Sequence, residues 1–168
     1  QAMRLCVFVE NMGYRQRADL GHDIILGFRK MAEPDGCAVS VQPLTAALQA
    51  QCSFDAYMLE HRYAGALLLG LSLSDPWLAQ LKGSRTPAVL YDNYVSANQA
   101  TAYVGVDNFE AMRLAVAQLQ GLGHRKIGYV RAFLGWVINH HPYDAVFPAL
   151  RPHGLPHEER LGGRRSYR

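Results

Sequence analysis

Four polar stretches carry side chains suited to holding a hydroxyl-rich molecule: residues 11–19 (NMGYRQRAD), 71–74 (LSLS), Asp92-Asn93 and Asp107. Each follows a run of strand-like character. A carboxylate accepts hydrogen bonds from adjacent sugar hydroxyls, and the ring of Tyr14 or Tyr91 could stack on a sugar face. Other chemistries find less support. Ser72, Ser74, His22 and Asp19 are triad ingredients, but no G-x-S-x-G elbow sets a serine on a strained turn. Asp92 and Asp107 could form an acid/base pair for glycoside chemistry, yet no third group is evident to raise one pKa. His140, His141, His153 and His157, with Asp144 and Glu158, fit no standard metal-ligand spacing. The glycines of Gly65–Gly70 lack the G-x-G-x-x-G pattern of dinucleotide sites. The residues therefore predict binding without catalysis, and no metal or cofactor.

The elements that would position these stretches alternate between strand and helix. Arg4 to Glu10 (RLCVFVE) reads as a buried strand. A helix follows from about Leu20 to Ala32, with Ile24, Ile25, Phe28 and Met31 inward. Pro34-Asp35-Gly36 breaks it before a strand at Ala38 to Gln42. Helical pieces are expected at Leu44 to Gln51 and at Phe54 to Arg62, the second with Phe54, Met58 and Leu59 inward. Gly65 to Gly70 is apolar throughout, as a parallel strand covered on both faces should be. Asp75-Pro76 opens a helix as N-cap and first-turn proline, running to about Lys82. Ala88 to Tyr91 is the next strand.

Tyr103 to Val130 then reads as strand, helix, tight loop and strand. The first strand is Tyr103 to Val106. Asp107 and Glu110 have capping-box spacing, Phe109, Met112, Val116 and Leu119 share a helical face, and Gly121 and Gly123 stop the helix. The closing strand is Lys126 to Val130. Such βαβ units predict a doubly wound parallel α/β sheet with right-handed crossovers. Ligands of open sheets bind beyond the carboxyl ends of the strands, where all four polar stretches fall.

Composition agrees with a globular α/β protein. The chain has 168 residues, 49% hydrophobic and 18% charged. No apolar run approaches bilayer length, and no basic-then-apolar leader is present. The net charge of +3 comes from Arg160, Arg164, Arg165 and Arg168, which read as a solvated tail rather than a nucleic-acid surface. Cys6, Cys37 and Cys52 have no metal spacing and read as small apolar residues in a reducing compartment.

Val104-Gly105-Val106-Asp107-Asn108 and Leu122-Gly123-His124-Arg125-Lys126-Ile127-Gly128-Tyr129, with a helix between them, resemble the effector-binding core of LacI/GalR-type transcriptional regulators. The likeness extends over about residues 4–131, through Ala64-Gly65-Ala66-Leu67-Leu68 and Thr86-Pro87-Ala88-Val89-Leu90-Tyr91-Asp92. It implies a periplasmic-binding-protein-like fold of type I. It also implies cleft roles for the Arg17–Asp19 region, Ser72, Asp92 and Asp107, beside the stacking role of Tyr14. The implied effector is a sugar, sugar derivative or nucleobase, in a cytoplasmic homodimer with no membrane partner.

The resemblance fades after Arg131. Ala149-Leu150-Arg151-Pro152-His153-Gly154-Leu155-Pro156 retains part of the family pattern, but Pro142 and Ala145 stand where an arginine and a glycine are usual. Pro148 and Pro152 interrupt the expected helix. Residues 1–131 are thus expected to be an essentially complete N-terminal lobe. Residues 132–168 would be a crossover and remnant, with the C-terminal lobe mostly missing. Operator DNA would be read by a helix-turn-helix absent from these residues. The alternative is a periplasmic-type sugar-binding protein for transport, which shares the fold.

Overall fold

A computed structural model describes residues 2–128 except 73, 94, 96 and 97. The chain divides into two compact units, which among these residues are 2–106 and 107–128. The first holds five parallel strands: β1 (Met3–Val9), β2 (Cys37–Pro43), β3 (Gly65–Leu69), β4 (Ala88–Tyr91) and β5 (Thr101–Val104), in the order β2-β1-β3-β4-β5. Its helices are α1 (Leu20–Ala32), α2 (Ala46–Gln51), α3 (Phe54–Glu60) and α4 (Pro76–Leu81). The doubly wound α/β expectation is met.

Alternation along the strands builds two cores. Cys6, Phe8, Ala66, Leu68, Ala88 and Leu90 meet Phe54, Tyr57 and Met58 of α3 and Trp77, Leu78 and Leu81 of α4. Val7, Val9, Leu67 and Leu69 face the other way and pack with Ile25 of α1, with Ile24 and Phe28 half-buried around them. Central strands buried on both faces carry no alternating polar residues, which explains the unbroken apolar runs in the sequence.

Several local expectations need correction. Met31 is 75% exposed and Leu59 81% exposed, so neither points inward. On α3 the buried partner of Phe54 and Met58 is Tyr57. That helix ends at Glu60, because Arg62 turns the chain with φ 55°. The helix expected from Leu44 begins at Ala46, where the Thr45 hydroxyl accepts from the Leu48 amide at 3.1 Å. β5 lies two residues earlier than expected. Val104 pairs with Tyr91, the last residue of β4, and Asp92 then leaves the ladder with φ 52°. Residues 105 and 106 have no strand to pair with.

The second unit contains α5 (Asn108–Gly121). Asp107 caps it, its carboxylate accepting from the Glu110 amide at 3.0 Å. The reciprocal half of a capping box is not made. The Glu110 carboxylate instead takes two hydrogen bonds from Arg113, at 2.6 and 2.7 Å. On the expected apolar face Val116 is buried, while Phe109 and Leu119 are exposed. The helix closes in a Schellman motif: His124 N–H donates to Leu119 O and Gly123 N–H to Gln120 O. Gly123 has φ 88°, whereas Gly121 is still helical. Residues 126–128 form no strand, and residues 129–130 of the expected closing strand lie outside the described residues. The His140–Glu158 group lies outside them as well.

Candidate ligand-binding site

The carboxyl ends of β1, β3 and β4 form a rim held by bonds between neighbouring strand ends. After β1, Glu10 donates its amide to Leu69 O at 3.0 Å, and the Asn11 side chain donates to Gly70 O at 3.2 Å. Gly70 (φ 76°) lies against the Glu10 carbonyl, where any Cβ would collide with backbone. After β4, buried Asn93 donates to Leu71 O at 3.0 Å. The rim is thus pinned by asparagine side chains that satisfy carbonyls left over at strand ends.

After β3 the chain folds around Asp75. Its carboxylate accepts from the Ser72 amide at 2.5 Å, and Asp75 N–H donates back to Ser72 O at 3.2 Å. The hydroxyls of Ser72 and Ser74 lie 2.9 Å apart. Asp75 holds the N-cap position of α4 but makes no side-chain cap bond. The Trp77 amide is satisfied instead by Gln49 Oε1 of α2, at 3.2 Å. That contact fixes the amide orientation of Gln49, so its NH2 group faces two carboxylates: Glu10 Oε2 and Asp75 Oδ1, each at 3.2 Å. Gln49 is only 4% exposed. Burial first, and then neighbouring Asp75, push the Glu10 carboxyl up to about 7, against the opposing pull of the Gln49 hydrogen bond.

The residues expected to bind ligand are distributed as follows. Ser72 and Asp92 follow adjacent strands of the rim. Asp92 Oδ1 accepts from the Val106 amide at 3.4 Å, and Gly105 leaves room for that carboxylate where a Cβ would clash. In the loop after β1, Asp19 accepts from the Gln16 amide at 2.9 Å, so part of its hydrogen-bonding capacity is spent locally. Arg17 is exposed. Tyr14 is half-buried against the α1-side core and lines a separate cleft of about 330 Å³ with Arg15, His22, Ile25, Leu26, Arg29 and Val41. Asp107 belongs to the second unit, where it caps α5.

Glu10, Gln49 and Asp75 were not among the expected site residues. In the sequence Glu10 closes a strand, Asp75 has the look of a simple N-cap and Gln49 lies within a helix. The available signals were an acid closing the apolar run of β1 and an amide in a short helix beside the rim. Among the described residues no hydrogen bond links His22 to Ser72 or Ser74; the His22 ring lies 3.5 Å from Asp23.

No protein-family model matches the chain, and no curated protein matches it in sequence. Solved structures do match. A LacI-family regulatory protein from Chloroflexus aggregans superposes with a TM-score of 0.73 at 19% identity, over 93% of this chain and 55% of its own. The transcription regulator CcpA of Lactococcus lactis gives 0.73 at 20%, over 96% and 58%. The LacI-family regulator CcpA of Weissella paramesenteroides, solved with bound glucose, gives 0.62 at 14%, over 94% and 56%. The chain spans a little over half the length of these structures. No helix of the described residues is long and apolar enough to cross a membrane. Parallel strand order and these superpositions together give this chain the fold of LacI-family transcriptional regulators.

Proposed function

We propose that this chain belongs to the effector-sensing domain of a LacI/GalR-type transcriptional regulator, and that it binds a sugar or similar small polar ligand at the carboxyl rim of the sheet. The observation that carries this reading is the structural likeness to such regulators, one of them holding glucose. The rim supports it chemically. Ser72, with its hydroxyl, and Asp92, with its carboxylate, follow neighbouring strands and are suited to vicinal hydroxyls. In the loop after β1, Arg17 and Asp19 are assigned supporting contacts.

The domain works by binding, not turnover. An effector that favours one arrangement of a two-lobed protein shifts its population, and with it the affinity for operator DNA read by a helix-turn-helix outside these residues. A cytoplasmic homodimer is the expected assembly. The test is thermal unfolding of the chain against a panel of monosaccharides, sugar phosphates and nucleobases. A transition raised by one class, and no longer raised in Asp92→Ala or Ser72→Ala, supports the site. A raised transition that both variants retain would move the site elsewhere. No shift with any member of the panel would count against effector binding by this chain.

A further inference from the structure

Glu10, Gln49 and Asp75 come from the end of β1, from α2 and from the N-cap of α4, and they meet at the rim through one buried amide. Both hydrogens of that amide are used, one on each carboxylate, and its oxygen is taken by Trp77 N–H. The amide therefore cannot rotate to neutralise one acid without abandoning the other. Two carboxylates 3.2 Å from the same nitrogen repel each other when both are charged, and a proton on one relieves this. The other oxygen of Asp75 holds the Ser72 amide.

We propose that Glu10, Gln49 and Asp75 form a proton-sharing clasp that positions Ser72, so that the rim after β3 answers to the presence of one proton between the two carboxyls. Among the described residues, the groups acting on Glu10 are the Asp75 carboxyl and the Gln49 amide, and no cation acts on it. Protonation falls on Glu10, whose carboxyl is raised into the neutral range by burial and by Asp75. Below that midpoint the clasp is closed, with Glu10 neutral and Asp75 free to accept from Gln49 and Ser72. Above it, like charges weaken the hold of Asp75 on α2 and alter the hydrogen bond that sets Ser72. Glu10 and Gln49 are thus positioning residues for the rim. The bearing on effector binding rests on the function proposed above, but the proton sharing itself needs no ligand.

A carbon-13 titration of side-chain carboxyls in the full chain, with the Ser72 amide followed in the same samples, tests the clasp. Glu10, assigned through bonds from its own backbone, should titrate at about 7. The Ser72 amide should move with the same midpoint. In Asp75→Asn the Glu10 midpoint should fall toward the ordinary carboxyl range, and in Glu10→Gln the Ser72 amide should stop titrating. A wild-type Glu10 midpoint below about 5 would overturn the proposal. So would a Ser72 amide that stays flat while Glu10 titrates. The wild-type titration decides the matter even if a variant does not fold. A failed ligand screen leaves it untouched.

Discussion

On one face of the sheet Phe8, Phe54, Tyr57 and Trp77 meet edge to face or tilted, with ring centroids 5.1 to 5.8 Å apart, and Tyr63 stacks behind Tyr57. On the other, α1 contributes a single buried apolar side chain, Ile25, and the surrounding Ile24 and Phe28 are half-buried. The rim loops above the two layers differ in the same sense. The segment after β3 is tied through Gln49 and Asp75 to two helices of the aromatic layer. Beyond Asn11, whose side chain reaches Gly70 O, the segment after β1 is held by short-range bonds, such as Gln16 to Asp19 and Gly21 N–H to Gly13 O, and by the packing of Tyr14. A densely packed layer can keep a polar rim residue in one place, because moving it would disturb many interlocked contacts. A loop closed on itself has fewer such restraints.

Breaking the aromatic layer should have the largest effect. Trp77→Ala removes a fully buried ring and its 2.9 Å hydrogen bond to Cys52 O, and should cost about 3–5 kcal/mol in denaturant unfolding. Ile25→Ala, the counterpart on the α1 side, should cost nearer about 2 kcal/mol. Equal losses would remove the proposed asymmetry.

The clasp predicts a pH effect on stability. The Glu10 carboxyl is raised in the folded state, so its contribution is fully present below its unfolded value of 4.5 and is lost as pH rises through about 7. The melting temperature should decline over that interval relative to Glu10→Gln, which keeps a neutral group there, by roughly a few degrees. Parallel curves for the two proteins would mean that Glu10 does not carry the effect.

Smaller effects sharpen the limits of the two units. Asp107→Ala should cost about 1 kcal/mol of α5 stability, from loss of the bond to the Glu110 amide, measurable by hydrogen exchange along that helix. Met31→Lys and Leu59→Lys should each change stability by less than about 0.5 kcal/mol, since both side chains are exposed.

Much of the architecture was legible before folding was considered. The limits of α1 and β4 follow from apolar periodicity and the breaks at Pro34-Asp35-Gly36 and Asp92-Asn93. The misassigned positions share a cause. Met31 and Leu59 satisfy a helical repeat, but the stripe that each helix buries is narrower than the repeat offers, and both side chains are exposed. β5 shifted because the end of its neighbour β4, rather than its own composition, decides where pairing stops. Glu110 has capping-box spacing but found Arg113, one helical turn away, a stronger partner. Of the expected ligand residues, Ser72 and Asp92 fall on one rim because strand ends in a parallel sheet share an edge. Tyr14 was drawn to an apolar core that its position in a polar loop does not reveal.

What the sequence determined by itself was local: the alternation of apolar runs with capped, periodic helices, and hence a parallel sheet with polar loops at its carboxyl ends. These features depend on a few neighbouring residues, which any reading of the chain can see. Only the tertiary structure decided which polar groups meet. Glu10, Gln49 and Asp75 are separated by tens of residues, and each has an ordinary local role. Their joint chemistry arises when β1, α2 and α4 bring two half-buried acids to one buried amide.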